Sequence, residues 1–318
     1  TNQTVASVSE AWQGKGNYAQ YSKAWKYFNS VEDGARVSKG WFKVVPAEYL
    51  NEGKYDDDED FWYYADGSGN LYAGEFKTIK GKKYAFRDDG RMLNGLKFIK
   101  EDEANQSLSV YADDHDTYNF DNEDDFLDHA AEFYEPNGYK CFYFGDGDDG
   151  AMRTNKTSVA IDGDNYNFYF EKSGGNKGAG VTGEKDDKYY QSGKLVRAGS
   201  DEKYQVVKHV NETDAVGYDK LDDADEFITE LGADVKYHVS TVVTQENLDA
   251  LGVNKKLEDI QEIAVITRDV VVDGRTEVKS GTDAEDFFLV NTSGKVIDSK
   301  SKNKDGNDYQ FVVAKGGS

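Results

Sequence analysis

The feature that most restricts the fold is a unit written twice between Phe61 and Phe98. The first copy reads Phe61-Trp62-Tyr63-Tyr64, then Asp66-Gly67, Leu71-Tyr72-Ala73 and Gly74-Glu75-Phe76. The second reads Tyr84-Ala85-Phe86, then Asp89-Gly90, Met92-Leu93 and Gly95-Leu96-Lys97-Phe98. Trp62 and Tyr84 stand 22 residues apart, and repetition at such a period decides a whole architecture. Alternating aromatic and polar residues read as a strand. Asp66-Gly67 and Asp89-Gly90 offer the positive-φ positions of a tight turn, and the short apolar runs after them read as returning strands. A single two-stranded hairpin is marginal alone. Stacked copies bury each other's faces. The expected fold is mostly β, an elongated solenoid of repeated β-hairpins with short helical insertions.

Gly40-Trp41-Phe42, Trp62-Tyr63-Tyr64, Asp66-Gly67 and Gly74-Glu75-Phe76 follow one order, and Tyr84-Ala85-Phe86, Asp89-Gly90 and Gly95-Leu96-Lys97-Phe98 follow it again. In this order the chain resembles the cell-wall-binding repeats of bacterial surface proteins, including choline-binding and glucan-binding modules. The resemblance is good over residues 25–99 and patchy beyond. It implies an exported protein, secreted or held on a bacterial surface. It also implies an aromatic cage between successive hairpins, where rings hold a quaternary ammonium by cation–π attraction or stack on sugars. On that resemblance Trp41, Trp62 and Tyr84 are the leading cage residues, with Tyr63 and Phe98 next; each ring also fits as plain hairpin core. The Gly-Trp pair of the unit has become Gly74-Glu75-Phe76 and Gly95-Leu96-Lys97 in later copies, so most copies lack one ring.

The remaining chain sorts by texture. Residues 1–24 read as irregular or a short helix, and 25–100 carry the repeats with an acidic insertion at 46–60. Pro46 to Leu50 suits one helical turn, and Asp56 to Asp60 a solvated loop. Residues 101–202 hold a helical insertion at 122–135, with Phe126, Leu127, Ala130, Phe133 and Tyr134 on one face. Degenerate hairpins at Phe142-Tyr143-Phe144, Phe168-Tyr169-Phe170 and Tyr189-Tyr190 follow. Residues 203–280 read as mixed α/β or modified repeats, with a helix over 221–231 stopped by Gly232 and a short helix capped by Thr244. Residues 281–318 return to hairpins.

Composition excludes several functions. The net charge of −23 repels phosphate backbones and anionic lipid, which argues against nucleic acid and simple membrane docking. No long apolar run suggests membrane insertion. One cysteine, Cys141, permits no internal disulfide and sits in acidic surroundings that disfavour a reactive thiol. The acidic turns at Asp146 to Gly150 and Asp162 to Asp164 fail the EF-hand positions. The four histidines share no metal spacing, and Gly178 to Gly183 has a dinucleotide fingerprint's spacing without its strand-to-helix setting. The expectation is no catalytic residue, no metal and no cofactor.

The expected role is a non-enzymatic binding or adhesion module for cell-wall polysaccharide, teichoic-acid choline or host glycan. The alternatives are a ligand-free stalk or protein-interaction scaffold, and a divergent glycan-active enzyme with its chemistry in 203–280, for which no motif speaks.

Overall fold

The computed structural model describes residues 4–6, 25–29, 32, 34–48, 51–102, 107–110, 120–133, 138–211, 216–241, 245–250, 256, 263–304 and 309–317. The chain is mostly β, made of several small antiparallel sheets with few helices. It divides into two compact units, Thr1–Val181 with Ser192–Lys194, and Thr182–Gln191 with Leu195–Ser318.

The first unit is built of antiparallel rungs; the first two are two-stranded sheets, the third adds Ser107–Val110 beside Leu96–Asp102, and the fourth adds Lys194 beside Phe168. Rung one pairs Gly40–Val44 with Phe61–Ala65, and rung two pairs Glu75–Ile79 with Lys82–Phe86. Rung three pairs Leu96–Asp102 with Lys140–Tyr143, and rung four pairs Asn155–Ile161 with Asp164–Phe170. Each aromatic segment therefore pairs with the strand before it. This corrects the expected partition, in which it paired with the run after the Asp-Gly turn. Those runs make only isolated bridges, Ala65 to Leu71 and Phe86 to Met92. Lys80-Gly81 and Asp162-Gly163 close rungs two and four, with φ of 50° and 81°, and 48° and 85°. Two positive angles in a two-residue loop match the twist of the flanking strands. The expected positive φ at Asp66-Gly67 falls instead at Gly69, while Gly90 has it as expected. Asp66 organises its turn by accepting hydrogen bonds from the Ser68 and Asn70 N–H groups at 2.8 Å each.

Recurring backbone bonds fix which positions are equivalent. Tyr64, Ala85 and Tyr143 each accept a bond from the run that follows: from Tyr72, Leu93 and Arg153. The Trp62 carbonyl accepts from Met92 at 2.8 Å, that of Lys83 from Met152 at 2.8 Å, and that of Cys141 from Gly180 at 2.7 Å. Tyr84 therefore matches Tyr63, and Trp62 matches Lys83. The spacing is one residue shorter than the sequence suggests.

Helices cover part of the rungs. Glu52–Asp56, capped by Asn51, lies in the acidic insertion beyond the expected turn, of which Tyr49 and Leu50 are outside the described residues. Glu123–Phe133 buries Phe126 and Ala130, and Asn122 accepts the Asp125 N–H at its start. Tyr134 lies outside the described residues, as do the Phe133 side chain, His115 and most of 1–24. Within 1–24, Thr4–Ala6 is a strand paired with Trp25–Tyr27, which corrects the irregular reading there.

In the second unit, Tyr204–Asn211 pairs with both Val216–Lys220 and Phe287–Asn291. Tyr237–Thr241, Ala264–Val272 and Arg275–Ser280 form another sheet. The helix Ala224–Ala233 buries Ala224, Phe227 and Leu231, and the last two pack in a core with Val206, Phe287 and Leu289. It runs through Gly232 to an Asp234 cap rather than stopping at the glycine. A second helix covers Gln245–Ala250; Thr244 is outside the described residues.

A charge network ties this unit. Asp286 accepts from Lys236 Nζ at 2.6 Å and from the Tyr237 hydroxyl at 2.5 Å. Burial alone raises the Asp286 carboxyl, but these bonds and the charges of Lys236 and His209 outweigh it, and it lies below its ordinary 3.8. Burial and the same bond push Tyr237 up to about 12. A depressed carboxylate stabilises above its unfolded value and loses that contribution as pH falls through its folded value. Urea midpoints of the second unit are expected to drop below about pH 4, and Asp286→Asn to flatten that drop. An unchanged acid profile in the variant would contradict this role for the network.

Candidate functional site

Where rung one meets rung two, four aromatic side chains gather on Trp41. Trp41 and Trp62 come from rung one, on neighbouring strands and the same face, because Trp41 is opposite Tyr64 and Trp62 opposite Lys43. Tyr84 and Phe86 come from the facing side of rung two. The Trp41 ring meets Trp62 at 6.4 Å and 88°, Tyr64 at 5.0 Å and 75°, Tyr84 at 4.9 Å and 63°, and Phe86 at 5.9 Å and 26°. Phe86 and Tyr64 are buried, whereas Trp41, Trp62 and Tyr84 are half-buried. Edge-on pairing suits the ring quadrupoles and leaves an angle between Trp41 and Trp62, not a closed stack.

Three of the five residues expected on resemblance are brought together here. The other two are not. Tyr63 points to the opposite face of its strand, is 0% exposed, and stacks on Phe42 at 5.6 Å. Phe98 is 1% exposed and packs on Phe126 at 5.7 Å and Phe120 at 5.8 Å. Neither ring face is open to a ligand, so both belong to the core.

Charge surrounds the cluster. Lys43 bridges Asp60 at 3.4 Å and Asp148 at 3.3 Å. Arg153 pairs with Asp149. Burial raises the Tyr84 phenol, Asp149 raises it further and Arg153 opposes. The acidic turn 146–149 thus has a structural role at the site's rim. It is delivered there by the Met152 bond to rung two. Its remaining acid, Asp146, hydrogen-bonds the Tyr143 hydroxyl, which with burial raises that phenol. Sequence reasoning missed Tyr64, Phe86 and Lys43 as members, because only the strand pairing puts them beside Trp41.

The next interfaces lack this arrangement. Between rungs two and three, Phe76 takes the Trp41 position and Lys83 the Trp62 position. Between rungs three and four, Leu96 and Cys141 stand there, and Phe126 of the helix closes the space against Phe168 at 5.4 Å. Cys141 is 1% exposed and burial pushes its thiol well up, so it packs as an apolar residue. Among the described residues no group of three metal-ligating side chains converges, and no helix is long and apolar enough to cross a membrane. Gly178 to Gly183 leads from one strand to another, as its setting in sequence suggested.

No protein-family model matches the chain, and no curated protein matches it in sequence. Among solved structures, the Cpl-1 endolysin complexed with a tetrasaccharide-pentapeptide peptidoglycan analogue is 17% identical, over 56% of this chain and 36% of its own, with a TM-score of 0.23. Choline binding protein F from Streptococcus pneumoniae is 18% identical over 54% of each chain, with a TM-score of 0.17. Alternansucrase in complex with isomaltononaose is 13% identical over 91% of this chain and 14% of its own, with a TM-score of 0.19. The chain thus spans between about a third and a half of the first two proteins' length. The neighbours include choline-binding repeat proteins, at low identity and partial coverage.

Proposed function

We propose that this chain is a non-enzymatic binding module of a bacterial cell surface, its rungs stacked as a hairpin solenoid. The ligand site is the cluster of Trp41, Trp62 and Tyr84. It receives a cell-wall component, either choline borne on teichoic acid or a polysaccharide; a host glycan is the further member of this class. The observation that supports this is the half-buried three-ring cluster between rungs one and two, beside Asp60, Asp148 and Asp149. Aromatic faces attract a quaternary ammonium with about 0.5–2 kcal/mol per ring, depending on desolvation. A strongly acidic surface raises the local concentration of such a cation. The Trp62 indole N–H is buried and has no partner among the described residues, which leaves a donor for a ligand oxygen if the rim opens. A single weak site of this kind gains strength through multivalent display.

The second reading, a protein-interaction scaffold, draws on the later interfaces, where a lysine or aliphatic side chain has replaced a ring. Tryptophan fluorescence separates the two. Choline chloride and soluble peptidoglycan fragments are titrated separately, and a saturable change is expected from at least one. Trp62→Ala is expected to weaken it roughly 5- to 30-fold. Silence toward both, with the protein folded, supports the scaffold and overturns the proposal.

A further inference from the structure

The interface between rungs two and three keeps the spacing of two ring pairs of the first one, while Ala85 stands in the place of Tyr64. Phe76 meets Phe142 at 5.3 Å and Phe144 at 6.4 Å, as Trp41 meets Tyr84 at 4.9 Å and Phe86 at 5.9 Å. At the position of Trp62 stands Lys83. Its ammonium lies 4.3 Å from the centre of the Phe76 ring, and it pairs with no carboxylate among the described residues. The chain carries 61 acidic residues, so an ammonium held on a ring face has exchanged abundant partners for this one. Phe142 and Phe144 are buried and Phe76 is half-buried. The Met152 N–H to Lys83 carbonyl bond holds the lysine backbone in place.

We propose that Lys83 is a tethered ligand, filling a second ammonium site that an external quaternary ammonium would otherwise occupy. This rests on the reading that the first cluster binds a cation. A tethered group reaches its site at an effective concentration that a free ligand seldom matches, so the site is closed in the wild type. Lys83→Ala removes the occupant and leaves all the rings.

The test is a residue-resolved NMR titration with tetramethylammonium chloride, against sodium chloride as control. In the wild type, shifts are expected at Trp41 and Trp62 but not at Phe76 and Phe142. In Lys83→Ala, saturable shifts are expected at both pairs, raising the stoichiometry from one to two. Without ligand, the wild-type Lys83 ε-methylene protons are expected upfield from the Phe76 ring current, and Phe76→Leu to return them to ordinary values. Shifts at Phe76 and Phe142 in Lys83→Ala support the proposal even if Trp41 and Trp62 stay silent, which overturns only the first site. Silence at Phe76 and Phe142 in that variant, or unshifted ε-methylene protons, overturns the tethered ligand whatever the first site does.

Discussion

Trp41→Ala is expected to lower the unfolding free energy of the first unit by about 3 kcal/mol and to remove ligand binding altogether. Trp41 touches four rings, Trp62, Tyr64, Tyr84 and Phe86. Core Phe or Trp to Ala changes cost roughly 3–5 kcal/mol, and a half-buried ring sits at the low end. Trp62→Ala serves as the companion, because among the described rings Trp62 meets Trp41 alone. An edge-on pair is worth about 0.5–1.5 kcal/mol beyond the area it buries, and half-burial adds about 1 kcal/mol, so this variant is expected to stay folded with a loss of about 2 kcal/mol, below that of Trp41→Ala. Losing one cation–π face of about 1–2 kcal/mol weakens binding roughly 5- to 30-fold. Guanidinium unfolding followed on the first unit, beside a choline titration of each variant, gives both quantities. Equal stability losses for the two variants would show that Trp41 is not the centre of the cluster. Unchanged choline affinity in Trp62→Ala would remove the cluster from the binding site.

Gly180→Ala is expected to be still more damaging to the fold. An added Cβ at Gly180 would lie 2.3 Å from the Ser192 carbonyl oxygen, 2.5 Å from its carbon and 2.7 Å from the Gly193 nitrogen. All three are backbone atoms, so no side chain can swing aside. Gly180 N–H donates to the Cys141 carbonyl at 2.7 Å, and Gly193 N–H to the Val181 carbonyl at 2.7 Å. Relief of the clash therefore breaks the joint between rungs. Overpacking usually costs about 1–3 kcal/mol and more where the backbone must shift, so a loss of at least about 3 kcal/mol, or failure to fold, is expected. Gly175→Ala is the control, since a Cβ there meets nothing within 4 Å. Comparable expression and denaturation midpoints for the two variants would sink this account of Gly180.

The repeat and its content were legible in the sequence, because aromatic alternation and Asp-Gly corners are local chemistry. The β class, the helix around Phe126 and the helix around Phe227 follow from side-chain period alone. Trp41, Trp62 and Tyr84 were named together on the resemblance alone; the strand pairing is what brings their rings into contact.

Pairing and facing were decided only by tertiary structure. An aromatic strand is flanked on both sides by segments able to pair with it, and periodicity does not choose between them. Lys80-Gly81, which carries no strong turn signature, makes that choice by adopting two positive φ angles. The resulting register is one residue away from the one read in sequence, and in a strand one residue reverses the face of every side chain. Along one strand alternation sends Tyr63 to the core face beside Phe42 and Trp62 to the face of the cluster, and the one-residue shift puts Tyr84, not Lys83, in the place of Tyr63. Phe98 is lost to the core for a different reason: the helix Glu123–Phe133, far away in sequence, lays Phe126 across it. Gly180 shows the same limit, since a glycine needed for backbone approach looks in sequence like any other until its neighbour in space is known.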